Sequence, residues 1–296
     1  MYGCFTADGM MLIAVLLLLG VLSGFMAGLF GIGGSMLMVP FLVWWFDHLE
    51  LFHGSSIKFA IASAMAVVVF TSLSSIRAHY LKGAINWHLV KVFTIGILPG
   101  GLVASLAVFG ILKSSWLYFL FAGLVLLSAK QMWVGAANKN IIEKKISNKK
   151  YQPKDVFKIL PRKWLLVVMG AVVGFLSGLV GAGGGFLMVP FQTRFGIMIN
   201  RAVATSAATG FPIALVNSFG FLLADSSHLV QSHSGRSDVI GFVYWPAVSV
   251  IALASVLAAP FGAKLAHDLP LQTLRRIFAI GLFVMAVYMA WRGWQF

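Results

Sequence analysis

The fold class predicted is an all-α polytopic membrane protein made of two inverted-topology repeats, with eight to ten membrane segments in total. Three observations lead there: a shortage of charge, a series of long apolar segments, and an internal duplication. The 296-residue chain is 60% hydrophobic and only 10% charged. Soluble domains carry about 25% charged residues, so a water-soluble globule is excluded.

A helix needs about 20 mostly apolar residues to cross the bilayer core. Such segments lie at 10–46, 59–76, 92–112 and 116–136, and again at 164–195, 202–223, 242–263 and 277–294. All nine tryptophans, at positions 44, 45, 87, 116, 133, 164, 245, 291 and 294, fall near segment ends, at the headgroup level that an amphipathic indole prefers. The first segment follows Asp8 with no Lys or Arg before it and has no Ala-x-Ala cleavage pattern, so it reads as a retained membrane segment. It is too long for one crossing, short for two, and broken by glycines, which predicts a helical hairpin. The next three segments are read as full crossings.

Residues 24–41 and 174–191 repeat each other: GFMAGLFGIGGSMLMVPF and GFLSGLVGAGGGFLMVPF agree at 12 of 18 positions. Other landmarks recur in the same order. Ala60-Ile61-Ala62-Ser63 matches Ala202-Val203-Ala204-Thr205, and Gly83-Ala84-Ile85-Asn86-Trp87 matches Gly241-Phe242-Val243-Tyr244-Trp245. The organisation expected is a first transmembrane repeat at 1–137, a basic linker at 138–163 and a second repeat at 164–296. Each repeat is a Gly-interrupted hairpin plus three crossings.

The linker holds nine basic residues against Glu143 and Asp155, which is half of the net charge of +14. A positive loop between apolar segments marks the cytoplasmic side, not a nucleic-acid surface. With each hairpin returning to its own side, every clearly basic loop (77–91, 138–163, 194–201, 264–276) lies inside, and the acidic or mixed loops at 47–50 and 225–238 lie outside. The net number of crossings per half is then odd, so the second repeat enters from the opposite face, as in many secondary transporters.

Both hairpins carry Gly-x-x-Gly-x-Gly-Gly followed by Val-Pro: Gly28, Gly31, Gly33, Gly34 to Pro40, and Gly178, Gly181, Gly183, Gly184, with Gly185, to Pro190. Glycine permits positive φ and leaves amides unshielded. A broken helix in lipid is tolerated only inside protein or against a wet cavity. The second limb starting at Ser35 or Gly185 would present a helix N-terminus, which favours an anion. Gly20, Gly24, Gly28 and Gly170, Gly174, Gly178 have instead the every-fourth spacing of a packing face. No Gly-Lys-Ser/Thr ends the motif, so nucleotide binding is disfavoured.

Ser63, Thr205 and Ser206 stand early in the crossing after each hairpin and are candidate hydroxyl donors, with Thr71, Ser72, Thr209 and Asn217 further along. The alternative for each is a bond to its own helix backbone. None of the eight acidic residues is central in a span, which favours an anion over a cation. The seven histidines are expected in loops or near span ends, and His228 with His233 would not suffice as a metal site. Lys58 and Arg201, beside the hydroxyl stretches, would attract anions at a vestibule. The single cysteine, Cys4, excludes an intramolecular disulfide or cysteine cluster. No cofactor motif and no nucleophile–base pair stands out, so an enzyme is not expected.

The repeated Gly-x-x-Gly-x-Gly-Gly…Val-Pro at 28–40 and 178–190, each followed by Ala-x-Ala-Ser/Thr, resembles the sulfite exporter TauE/SafE family, also called the sulfonate uptake permease family. The resemblance spans essentially the whole chain and implies a prokaryotic plasma-membrane permease for sulfite, sulfoacetate or other organosulfonates. The repeats depart from one another at Ser35 against Gly185 and at Ala64 against Ser206. The function expected is a transporter holding a small sulfur-containing anion at Gly31, Gly33, Gly34, Ser35, Gly181, Gly183, Gly184 and Gly185, with Ser63, Thr205 and Ser206 donating hydroxyls. The alternatives are a passive anion channel and a non-transporting assembly factor.

Overall fold

The computed structural model describes residues 7–31, 34–52, 54–110, 112–137, 162–224, 238–268 and 272–295. Among them are ten α-helices: α1 Ala7–Phe30, α2 Ser35–His48, α3 Ser56–Leu81, α4 Trp87–Gly110, α5 Ser114–Ala137, α6 Lys163–Val180, α7 Gly185–Arg194, α8 Ile199–Leu223, α9 Trp245–Asp268 and α10 Gln272–Gln295. Eight are long and apolar enough to cross a membrane, and α2 and α7 are the short exceptions. The predicted segments 10–46 and 164–195 each split in two at their glycines. The all-α polytopic membrane fold is therefore as expected. The linker at 138–163 lies outside the described residues except for Arg162 and Lys163, and so does most of the loop at 225–238.

Several helices run further than hydropathy predicted. Crossing 59–76 becomes Ser56–Leu81 and crossing 92–112 becomes Trp87–Gly110, extended at its start, because Lys58, Arg77 and Lys91 close the apolar window without ending the helix. The start of segment 242–263 is not helical. Val239–Ile240 (β1) pairs antiparallel with Val243–Tyr244 (β2) around Gly241 at φ 59°, a positive φ that suits a tight hairpin.

Glycines decide which helices touch. Gly20, Gly24 and Gly28 of α1 press against Ile251 and Ala254, Ser255, and Ala259 of α9, and Gly262 of α9 returns the contact to Phe25. Gly170 and Gly174 of α6 meet Phe93 and Ile97 of α4, while Gly96 and Gly100 of α4 meet Val167 and Ala171. A Cβ on Gly20 would lie 2.7 Å from the Ala254 Cβ, so only hydrogen fits. Residue numbers rise together along both pairs, so α1 runs parallel to α9 and α4 parallel to α6. The packing alternative weighed for the every-fourth glycines matches what they do.

The same order extends through the bundle. On α3 and α9, the Thr71 and Ser255 hydroxyls lie 2.6 Å apart, the Ser74 hydroxyl donates to the Val256 carbonyl at 2.7 Å, and Lys82 Nζ donates to the Lys264 carbonyl at 3.3 Å. On α4 and α8, Gly101 meets Asn217 and Ser105 meets Gly220. Helices α1, α3 and α9 thus point one way and α4, α6 and α8 pair parallel with one another. Between α5 and α10 the numbers run oppositely, with Gly293 against Tyr118 and the Arg276 guanidinium 5.9 Å over the Trp133 ring. The most extensive contacts between helices of the two halves have counterparts: α1 on α9 answers α6 on α4, and α3 on α9 answers α8 on α4.

The outer face carries exposed Leu17, Leu106, Leu253, Leu257 and Phe261, residues suited to hydrocarbon. At one end of the bundle Arg292 of α10 forms an ion pair with Asp47 of α2, and the Ser56 hydroxyl donates to the same carboxylate at 2.5 Å.

Candidate functional site

The two glycine motifs break their helices in the same way. In the first, α1 stops at Phe30, and Gly31 and Gly34 take φ of 67° and 69°. In the second, α6 stops at Val180, and Gly181 and Gly184 take φ of 71° and 76°. These left-handed values disfavour any residue with a Cβ, which accounts for glycine at all four positions. Gly33 lies outside the described residues.

Gly34 and Gly184 each precede the short limb, α2 or α7, and neither limb has a side-chain cap. A Cβ on Gly34 would strike the Ser23 carbonyl, whereas one on Gly184 would meet the side chains of Ile213, Val173 and Ser177. The chain therefore folds back beside its own first limb, as a hairpin. Ser35, Gly181, Gly183, Gly184 and Gly185 are all buried, and the Ser35 and Ser177 hydroxyls are buried without a hydrogen-bond partner.

Each hairpin tip rests on the third helix of the other half. Gly31 abuts Val203 and Ala207 of α8, and the Ser206 hydroxyl donates to the Gly31 carbonyl at 3.4 Å. Gly181 abuts Ile61 of α3 and Val39 of α2, and the Gly183 carbonyl faces Gly210 of α8. Val68 of α3 and Gly210 of α8 line one small cavity of about 10 Å³ together with Ala27, Gly31, Ser72, Ser75 and Ala207. The tips thus flank the place where α3 and α8 cross, and the described tip residues are buried.

Ser63 and Thr205 each accept a backbone N–H, which leaves the hydroxyl hydrogen of each available to donate. The backbone N–H of Tyr244 donates to the Ser63 hydroxyl at 3.0 Å, and the backbone N–H of Asn86 donates to the Thr205 hydroxyl at 3.1 Å. These are the same contact made twice, since Asn86 and Tyr244 occupy matching positions just before α4 and α9. The two hydroxyls do not converge on one point. Each lies five residues before the crossing at Val68 and Gly210 on oppositely directed helices, so they are about 15 Å apart at 1.5 Å per residue. The geometry brings Ser206 to the first tip, while Ser63 and Thr205 also hold the segments that lead into α9 and α4.

The other hydroxyls follow the backbone-bonding alternative. Thr71 donates to the Val67 carbonyl, Ser72 to Val69 and Thr209 to Ser206, and the Asn217 amide donates to Ile213. Lys58 and Arg201 sit in the first turns of α3 and α8, hence at opposite ends of that pair. No group of three or more His, Cys, Asp or Glu residues suited to a metal occurs among the described residues, and His228 and His233 lie outside them.

Two features were missed in the sequence. His79, placed by hydropathy beyond the end of its span, is fully buried on α3 with Nε2 3.1 Å from the Gly28 carbonyl. Its signal would have been the polar series Ser72, Ser75, His79 along one helix face. The Asp47–Arg292 pair had no local signal, because its partners lie 245 residues apart.

Comparison with known proteins now decides the family. The model for the sulfite exporter TauE/SafE family matches residues 16–289. The chain belongs to the TauE/SafE family. TauE/SafE relatives include a probable membrane transporter protein of Haemophilus influenzae, 30% identical over 94% of this chain and 97% of its own length. Another is a probable membrane transporter protein of Methanocaldococcus jannaschii, 29% identical over 95% of this chain and 96% of the relative. A third, from Bacillus subtilis, is 28% identical over 94% and 97%. No solved structure matches the chain. TauE/SafE proteins are a membrane transporter family, not an enzyme class, so this chain is a multi-pass member of a transporter family with a small-molecule substrate and lipid as its surroundings.

Proposed function

We propose that the chain is a secondary transporter for a small sulfur-containing anion, such as sulfite or an organosulfonate, in a prokaryotic plasma membrane with the 138–163 loop cytoplasmic. The observation that carries this reading is the duplicated glycine break. Two uncapped helix starts, behind Gly34 and Gly184, stand on either side of the α3–α8 crossing, deep in the protein. Backbone amides at a helix start attract an oxyanion without a charged side chain. Gly31, Gly33, Gly34 and Ser35 would cradle it from one side and Gly181, Gly183, Gly184 and Gly185 from the other. Ser206 at the first tip, and the unpartnered Ser35 and Ser177 hydroxyls, are the nearest donors.

The opposed directions of α1 and α6, α3 and α8, and α4 and α9 support an inverted repeat. The moving bodies would not be the two sequence halves, however. Because α1 packs on α9 and α6 on α4, each rocking bundle draws helices from both halves: α1, α3 and α9 against α4, α6 and α8, sliding at the α3–α8 contact. The burial of the described tip residues favours alternating access over an open channel.

The test is reconstitution in proteoliposomes with sulfite, thiosulfate, sulfate, sulfoacetate, taurine and plain carboxylates, together with a thermal-shift panel of the same anions. Saturable flux of a sulfur oxyanion that also stabilises the purified protein is expected. Non-saturating flux would instead mean a channel, and no binding or flux of any anion would remove the transport reading.

A further inference from the structure

We infer that the second glycine break carries a site for a monovalent metal cation, of the sodium type, that fills together with the anion, an inference that rests on the transport reading above. Two buried oxygens without a hydrogen-bond partner stand beside this break, Oδ1 of Asn217 on α8 and Oγ of Ser177 on α6, and both residues have 0% exposure. The Asn217 amide fills the space left by two glycines of neighbouring helices. Its nitrogen lies against Gly101 of α4 and its Oδ1 against Gly178 of α6, where a Cβ would come within 2.2 Å of that oxygen. The Ile213 carbonyl fixes the orientation, since it accepts the amide N–H at 2.8 Å and would repel an oxygen. The unpartnered atom is therefore an acceptor, turned toward the last turn of α6.

That turn supplies further acceptors. The N–H groups of Gly181 and Ala182 both go to the Ser177 carbonyl, which leaves the carbonyls of Gly178, Leu179 and Val180 beyond the last intrahelical bond. They form the negative end of the α6 dipole. Ser177 joins this cluster to the anion side: a Cβ on Gly184, the residue before α7, would lie 3.4 Å from its Oγ and 2.4 Å from Cδ1 of the same Ile213. A hydroxyl can take a cation on its lone pairs while donating its hydrogen to an anion. A helix end that favours a cation thus stands directly before a helix start that favours an anion, the arrangement in which discontinuous helices hold coupling ions.

The donor set selects the ion. Amide, hydroxyl and peptide oxygens do not take up a proton near neutral pH, so the site suits a metal ion. Helices α4, α6, α7 and α8 contain no Asp or Glu. A divalent ion would bring two uncompensated charges into a buried place, whereas a monovalent one is neutralised by the bound anion, and each ion then strengthens the hold on the other. The first break lacks the device. Ser75 stands where α8 has Asn217, Ala27 stands where α6 has Ser177, and the carbonyl of Gly28, the counterpart of Gly178, has His79 Nε2 at 3.1 Å.

The test is thermal unfolding of the purified full chain in sodium chloride against choline chloride at equal ionic strength, with and without sulfoacetate. Sodium should raise the midpoint saturably, and more so with sulfoacetate present. It should tighten sulfoacetate binding about 5–150-fold, and sulfoacetate should tighten sodium binding by the same factor. Asn217→Ser and Ser177→Ala import residues that the first repeat already uses, and in both the sodium shift should be lost. Asn217→Ser in sodium should bind sulfoacetate as weakly as the wild type does in choline. A sodium shift retained in either variant, or no difference between sodium and choline in the wild type, overturns the inference. In proteoliposomes, saturable sulfoacetate flux that ignores a sodium gradient also overturns it and leaves the transport reading intact. A sodium shift that needs Asn217 and Ser177, in a protein that binds and moves no sulfur anion, removes the substrate reading and leaves the cation site standing.

Discussion

The Ser63 hydroxyl accepts the backbone N–H of Tyr244 at 3.0 Å, so a side chain in the first half fixes the start of the fourth helix of the second. Thr205 does the same for Asn86 in the opposite sense. Ser63→Ala and Thr205→Val should each leave a half-buried N–H without its hydroxyl partner and cost about 1 kcal/mol. The two sites are distant, so the double variant should lose close to the sum. Thermal unfolding in detergent measures this, and Ser63→Thr should stay near the wild type because the hydroxyl is kept.

The two tip glycines should differ in tolerance although their φ values match. Gly34→Ala drives a Cβ into the rigid Ser23 carbonyl, while Gly184→Ala meets movable side chains, Ile213 foremost. Gly34→Ala is expected to destabilise by more than about 2 kcal/mol, as backbone strain at positive φ adds to the clash, and Gly184→Ala by less. Anion flux should be abolished in Gly34→Val and Gly184→Val while the protein still inserts. Flux at the wild-type level in both would remove the tips from the site.

Glycines outside the packing seams give the control. A Cβ at Gly123 or Gly281 meets nothing within 4 Å, so Gly123→Ala and Gly281→Ala should be neutral or stabilising by up to about 1 kcal/mol through helix propensity. Gly28→Ala, against the Ala259 carbonyl, should separate α1 from α9 and lower the unfolding midpoint sharply. Parallel melting curves test the contrast.

Asp47 and Arg292 tie α2 to α10, with side-chain exposures of 18% and 22%. Asp47→Asn and Arg292→Leu should each destabilise, and a double-mutant cycle should give a coupling of about 0.5–3 kcal/mol. A coupling near zero would mean that the pair adds nothing beyond its surface neighbours.

Topology is checked on a chain with Cys4 replaced. Single cysteines in the 138–163 and 225–238 loops should label from opposite faces of the membrane. Paired cysteines at Gly293 and Tyr118 should cross-link α10 to α5, since these positions meet in the fold.

The glycine break was legible because two positions of positive φ demand glycine twice, and the duplication displays that demand in both halves. The long crossings were legible from hydropathy, but their ends were not: charged Arg77 closed the apolar window although the helix continues to Leu81, and His79 was thereby misplaced. The role of Ser63 and Thr205 depended on a partner chosen across the halves. Asn86 and Tyr244 were visible as matched positions, but nothing local says that their amides meet a hydroxyl of the other half. Tertiary pairing also set the direction of α3 against α8, which keeps those hydroxyls apart.

The α1–α9 contact also sets an order of events during synthesis. Trp245, where α9 begins, lies about 215 residues beyond Phe30, on the order of 10–40 s of elongation at usual rates. For that interval α1 stands in the bilayer with its glycine seam facing lipid, whereas α6 finds α4 already made. Helix α1 is thus among the last to settle although it is made long before α9, and the stage at which a nascent chain is most open to misassembly or to capture by an insertion factor is the wait for α9.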